Sequence, residues 1–124
     1  MAGHPPEQSI ALIERAMRLS PHDPLEFLFY DGFGVAYFCA GRFADGVAAS
    51  RELVALRPTY VLGYIYGAMS AAELGEIEEA REFVRQAREV QPDLSFESAH
   101  RALGGMAPDV DRRMSAALRK AGLE

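Results

Sequence analysis

The sequence is poor in the residues that several common kinds of functional site require. It has a single cysteine, Cys39, and no tryptophan among its 124 residues. One cysteine cannot form an internal disulfide or a cluster of thiolate metal ligands. No apolar run approaches the roughly 20 residues that a membrane helix needs, and no secretory signal is visible at the start. These absences favour a soluble, cytoplasmic protein.

An excess of positive charge is also absent. The chain carries 13 Lys and Arg residues against 18 Asp and Glu residues, for a formal net charge of −5. Nucleic acids and anionic membranes bind to a concentrated positive field. Arg81, Arg85 and Arg88 form a stripe at helical spacing, but the glutamates between them favour ion pairs on a helix surface. We therefore predict no nucleic-acid partner and no membrane partner.

Catalytic and cofactor-binding patterns are missing as well. The three histidines are far apart and none lies in a metal-ligand spacing. The stretch "DGFGVAY" has Gly32 and Gly34 but lacks the third glycine and the preceding strand of a dinucleotide site. Cys39 lies in the apolar run "VAYFCA", and no third group is available to orient His100 as its base. We predict no enzyme activity, no cofactor and no metal.

The sequence does contain an internal repeat of 34 residues. Pro24, Pro58 and Pro92 have this spacing, and so do Gly41 and Gly75. The segment "FLFYDGFGVAYFCAGRFADGVAASRELVALRP" aligns with "VLGYIYGAMSAAELGEIEEAREFVRQAREVQP", and each predicts a helix, a glycine turn, a second helix and a proline. A period of this length is typical of a solenoid of helix pairs.

Small residues in the predicted first helices indicate close packing. Gly67 costs about 1 kcal/mol relative to alanine in a helix interior. Together with Ala68, Ala71 and Ala72 it forms adjoining rows of small side chains, where a neighbouring helix can approach. Gly34 has a similar position one repeat earlier. We interpret these residues as packing features and not as a place of ligand approach.

Aromatic, small, glycine and proline residues recur at matching places in the two units. They are Tyr30, Phe33–Gly34, Tyr37, Gly41, Phe43 and Pro58 in the first, and Tyr64, Ala68, Gly75, Ile77, Ala80, Ala87 and Pro92 in the second. This pattern resembles the tetratricopeptide repeat, a 34-residue helix–turn–helix unit. Gly46 and Ser50 depart from it, since alanine and an aromatic residue are usual there. The resemblance implies an all-α fold, a right-handed α-solenoid of antiparallel helix pairs with about six to seven helices.

The flanking segments extend the repeats over most of the chain. We predict a flexible tail over residues 1–8, a single domain over 9–122, and residues left by cloning at 123–124. Within the domain we expect a half repeat at 9–21, full repeats at 27–58 and 61–92, and a terminal helix pair at 94–122. The half repeat indicates a fragment of a longer protein, unless Pro5, Pro6 and the tail cap the solenoid.

The chain has a second resemblance, which covers nearly its entire length. The whole arrangement, especially "RAMRLSPHDP", "AYFCAGRFADGV" and "ALRKAGL", resembles the C-terminal repeat region behind the catalytic domain of bacterial class III adenylate and guanylate cyclases and related regulators. This resemblance implies a regulatory or scaffolding appendage. It implies no catalysis by the chain itself, because cyclase chemistry needs paired metal-binding aspartates in a domain with β-strands, and no strand pattern is present.

The first helices of tetratricopeptide repeats line a concave groove. The resemblance therefore assigns to this protein-binding groove Leu28, Asp31, Val35, Phe38 and Cys39 from one unit, and Leu62, Ile65, Tyr66, Met69 and Glu73 from the next. This lining is largely apolar and has two carboxylates. Relatives that bind the acidic tails of heat-shock chaperones carry cations and asparagines there, so we expect no binding of those tails.

Two functions remain open at the level of sequence. The first is a protein-interaction or scaffolding module whose groove accepts a partner's helix or extended segment, or mediates self-association as a homodimer. The second is a structural spacer or dimerisation brace whose groove is filled by the chain itself. The amphipathic segment 109–118 distinguishes them, since it either folds into the groove or stacks at the end of the solenoid.

Overall fold

The computed structural model describes residues 5–123, and the regular structure in that range is entirely helical. The helices are α1 (Pro6–Leu19), α2 (Phe27–Ala40), α3 (Phe43–Leu56), α4 (Val61–Glu73), α5 (Ile77–Val90), α6 (Phe96–Leu103) and α7 (Pro108–Lys120). No strand occurs within this range. The predicted all-α class and the predicted number of helices are confirmed.

The turns inside the two helix pairs are built alike. Gly41 after α2 has φ of 75°, and Gly75 after α4 has φ of 81°. Glycine adopts this left-handed conformation without the steric cost that a Cβ atom brings. The amide that follows each glycine donates to a carbonyl five residues back, at 2.9 Å after Gly41 and 3.0 Å after Gly75. Each turn therefore satisfies the free carbonyls of its first helix in the same way.

Helices α3 and α5, the second helices of the two pairs, end in the same way, and so does α1. The amides of Ser20, Arg57 and Gln91 each donate to the carbonyl four residues back, at 3.1, 2.8 and 2.9 Å. Their φ angles are −140°, −137° and −132°. Arg57 and Gln91 are 34 residues apart, whereas Ser20 and Arg57 are 37 residues apart. The three additional residues match the insertion "HDP".

Glycines set the distance between neighbouring helices. Consecutive helices from α1 to α5 pack against one another, and α2 also packs against α4. A Cβ atom added at Gly67 would lie 2.6 Å from the ring of Phe83 in α5, and one at Gly34 would lie 2.6 Å from the ring of Tyr66 in α4. The interpretation of these two glycines as packing residues is confirmed.

Helix α4 lies at the centre of the fold. Nine of its 13 residues are buried, and it packs against α2, α3, α5, α6 and α7. A helix that is apolar on every side needs neighbours on every side. Helix α7 packs mainly on α4, and α6 packs on both α4 and α7.

Residues near the ends of the chain differ from the predicted boundaries. Leu123, expected as a residue left by cloning, is 1% exposed and belongs to the main hydrophobic cluster. Its amide donates to the Leu118 carbonyl at 3.0 Å. Helix α1 begins at Pro6, inside the segment 1–8 that was expected to be a tail. The remaining terminal expectations, for residues 1–4 and Glu124, lie outside the described residues.

Candidate functional site

The predicted groove residues lie on α2 and α4, which pack against each other. We call the surface formed by nine of these ten side chains, all except Cys39, the α2–α4 surface: Leu28, Asp31, Val35 and Phe38 of α2, and Leu62, Ile65, Tyr66, Met69 and Glu73 of α4. Five of them are buried: Val35, Phe38, Ile65, Tyr66 and Met69. Leu28 is exposed, and the other three are partly buried. The surface is therefore covered over part of its length only.

Helix α7 covers the end of the surface formed by the C-terminal turns of α2 and α4. The guanidinium of Arg113 donates to the Phe38 carbonyl at 3.0 Å and to the Cys39 carbonyl at 3.4 Å. The same guanidinium lies 5.4 Å from the centre of the Phe38 ring. The ammonium of Lys120 contacts a carboxylate oxygen of Glu73 at 3.0 Å. These contacts connect α7 to the ends of both helices.

The apolar face of α7 completes this cover. Met114, Ala117 and Leu118 are buried, and they belong to the same hydrophobic cluster as Phe38 and Met69. The segment 109–118, which distinguishes the two functional hypotheses, therefore lies against α4. The sequence identified this segment as amphipathic but did not identify Arg113 and Lys120 as the contacts to α2 and α4. Arg112 and Arg119 have the same spacing of seven residues, so the sequence pattern alone does not single out the contacting pair.

The opposite end of the surface is open and contains a carboxylate held by two tyrosines. Leu28 is 47% exposed, and Asp31 and Leu62 are half-buried. One oxygen of Asp31 accepts hydrogen bonds from the hydroxyls of Tyr60 at 2.8 Å and Tyr66 at 2.9 Å. The sequence predicted Asp31 and Tyr66 as groove residues but missed Tyr60, which precedes α4 and stands outside the helical pattern.

Burial and the Asp31 carboxylate keep both tyrosines protonated. Burial, followed by the hydrogen bond to Asp31, raises the pKa of Tyr60 to about 12. Burial, followed by the negative charge of Asp31, raises the pKa of Tyr66 even more strongly. Both hydroxyls therefore remain hydrogen-bond donors at neutral pH, and Asp31 is fixed in position with its carboxylate at the open end of the surface.

The residues considered for chemistry are engaged in other ways. Burial raises the pKa of the Cys39 thiol, the reverse of what an activated nucleophile requires. His100 contacts Asp111 at 2.6 Å and stacks on the ring of Phe96, and His22 is exposed. Within residues 5–123 no three His, Cys, Asp or Glu side chains converge as metal ligands would. None of the helices described has the length and apolar character that a membrane crossing requires.

Two of the three arginines in the stripe on α5, Arg81 and Arg85, form ion pairs on the helix surface as the sequence predicted, whereas Arg88 donates to the Leu94 carbonyl at 3.4 Å. Arg81 lies 3.6 Å from Glu78. Arg85 pairs with both Glu82 and Glu89. These pairs are exposed and lie at helical spacing, so they stabilise the surface of α5 only modestly.

No protein-family model matches the sequence, and no curated protein matches it significantly. The resemblance to tetratricopeptide repeats is thus carried by the motifs of the sequence, and the recurring helix ends are compatible with it. The resemblance to the repeat region of nucleotide cyclases likewise depends on the sequence alone, on its overall arrangement and the three quoted stretches.

Proposed function

We propose that this chain is a non-catalytic protein-interaction or scaffolding module of the tetratricopeptide type, built as a right-handed solenoid. We further propose that it acts in the cytoplasm as part of a larger regulatory protein, such as a bacterial nucleotide cyclase. The observation that carries this proposal is the open end of the α2–α4 surface. There an exposed leucine, Leu28, stands beside a fixed carboxylate, Asp31.

This combination suits the recognition of a peptide segment. An exposed apolar side chain supplies an anchor point, and a fixed polar group supplies orientation. Leu62 adds a second, half-buried apolar side chain from the neighbouring helix. Because Asp31 is held by two hydroxyl donors, it is preorganised and loses little conformational entropy when a partner binds.

Selection from a displayed library of random 16-residue peptides tests this function on the full chain. We expect enrichment of peptides whose binding is lost in the Leu28→Asp variant. The matched control is Leu56→Asp, because Leu56 is a similarly exposed leucine, at 42%, on α3. Absence of enrichment, or enriched peptides that bind Leu28→Asp as well as the parent chain, would contradict the proposal.

The cover formed by α7 favours a second candidate, a structural spacer or dimerisation brace. In that case α7 stays permanently on the C-terminal end of the α2–α4 surface through the contacts of Arg113 and Lys120, and an attached domain carries the function. Light scattering over a concentration series separates the two. A brace predicts a dimer that persists in Leu28→Asp. A module that associates with itself through the open end predicts a dimer that this variant loses, and a module that binds a different protein predicts a monomer.

A further inference from the structure

The C-terminal end of the α2–α4 surface, on which α7 packs and which we call the seat of α7, has two acceptors for cations. Both acceptors are at the C-terminal ends of helices. One acceptor is the pair of carbonyls of Phe38 and Cys39 in the last turn of α2. The other is the carboxylate of Glu73, the last residue of α4. The C-terminal end of a helix carries a partial negative charge of about half a unit. This end of the α2–α4 surface is therefore electronegative.

The spacing of the two cations on α7 fits the spacing of the two acceptors. Arg113 and Lys120 are seven residues apart, which is about 10.5 Å along a helix axis. The axes of two packed helices lie about 8–10 Å apart. A helix that crosses α2 and α4 can therefore put one cation on each helix end. Between the cations, Met114, Ala117 and Leu118 fill the apolar part of the seat.

We propose that the C-terminal end of the α2–α4 surface recognises an amphipathic helix that has two cationic side chains seven residues apart along one edge of an apolar stripe. Helix α7 is the resident occupant of this site, and a partner helix of the same chemistry displaces it. This inference rests on the proposed function as an interaction module. The formal net charge of −5 favours the approach of such a cationic partner.

Because α7 belongs to the same chain as its site, it competes strongly with a partner helix that is free in solution. A segment joined by a short linker has an effective concentration in the millimolar range. Residues 104–107 form the link between α6 and α7, so α7 is held close to its seat at all times. The intact chain therefore binds a partner helix weakly, and weakening the contacts of α7 makes the site available.

The probe for this site is a labelled synthetic peptide with the sequence of residues 107–123. Its binding is measured by fluorescence anisotropy on three full-length proteins: the parent chain, Arg113→Gln with Lys120→Gln, and the control Arg101→Gln with Arg112→Gln. The control removes the same charge from two exposed side chains, which form no hydrogen bond or ion pair with α2 or α4 among the described residues. We expect the first variant to bind the peptide at least about tenfold more tightly than the parent and the control do. Circular dichroism verifies that each variant stays helical.

A charge exchange tests the recognition in a second variant. Glu73→Lys repels the resident Lys120 and favours a peptide that contains Lys120→Glu over the unmodified peptide, by at least about tenfold. Equal binding of the two peptides, or no binding to either weakened variant, would overturn this inference. If the library still yields peptides that require Leu28, the proposed function stands without it. If the library yields none as well, both proposals fail.

Discussion

At the scale of single residues, the effect of replacing a helical glycine depends on which atoms the added Cβ would contact. A Cβ atom at Gly67 would meet the rigid ring of Phe83 at 2.6 Å. A Cβ atom at Gly32 would meet the terminal methyl of Ile13 at 2.9 Å, and that methyl can rotate away. The two positions therefore differ although both lie inside helices.

Replacing these glycines with alanine separates close packing from helix propensity. We expect Gly67→Ala to lower the free energy of unfolding by about 1–3 kcal/mol, because the ring of Phe83 must move. Gly32→Ala is the matched control, and we expect it to be neutral or to raise stability by up to about 1 kcal/mol. Urea unfolding measures both. Equal effects at the two sites would contradict the packing account of Gly67.

A pair of buried serines gives a second comparison between single residues. The hydroxyl of Ser70 is fully buried and has no hydrogen-bond partner among residues 5–123, whereas the hydroxyl of Ser50 donates to the Gly46 carbonyl at 2.9 Å. We expect Ser70→Ala to leave stability unchanged or raise it by about 1 kcal/mol, and Ser50→Ala to lower it by about 1 kcal/mol. Thermal unfolding of both variants checks this. A loss of stability in Ser70→Ala as large as that in Ser50→Ala would contradict the account.

At the scale of helices, the sequence predicted the repeated elements well because their ends depend on local chemistry. Gly41 and Gly75 have positive φ, and the period of 34 residues made both positions recognisable. The position of α7 could not be predicted in the same way. The stripe with Met114 and Leu118 indicates that one face of the helix is buried, but it does not specify against which partner.

The same limit explains the description of the groove. Sequence reasoning listed Ile65 and Met69 as lining residues, and they are core residues with almost no exposed surface. They are buried because α4 has neighbours on every side, including α7. Leu28 and Asp31 lie on the same surface beyond the cover of α7. Of the α2 residues that form the α2–α4 surface, they are the two that remain accessible to a partner.

Helix α6 is short, so its N-terminal cap contributes a large share of its stability. It has eight residues, and Ser95 and Ser98 form a reciprocal capping box at its start. We expect Ser95→Ala to cost about 1 kcal/mol and to speed amide hydrogen exchange within α6, whereas Ser95→Asp retains the cap. Equal exchange rates in α6 for Ser95→Ala and the parent chain would contradict this role.

At the scale of the whole molecule, the tyrosines at the open end of the surface predict loss of stability in alkali. Tyrosine in the unfolded chain ionises near pH 10, and folding raises the pKa of Tyr60 to about 12 and that of Tyr66 in the same direction. Since the unfolded state releases these protons first, their contribution is complete below pH 10 and decreases as the pH rises toward 12. Urea unfolding between pH 9 and pH 12 measures this. Tyr60→Phe removes one ionising group, so its stability falls less steeply than that of the parent chain, and parallel curves would contradict the prediction.

Both the fold and the proposals depend on the position of α7, which lies across the C-terminal ends of α2 and α4 and covers that end of the α2–α4 surface. A nuclear Overhauser spectrum of the isotopically labelled full chain tests it most directly. With α7 in this position we expect cross-peaks between the Arg113 side chain and the Phe38 ring, and between the Lys120 and Glu73 side chains. A helical α7 with no cross-peaks to α2 or α4 would contradict it.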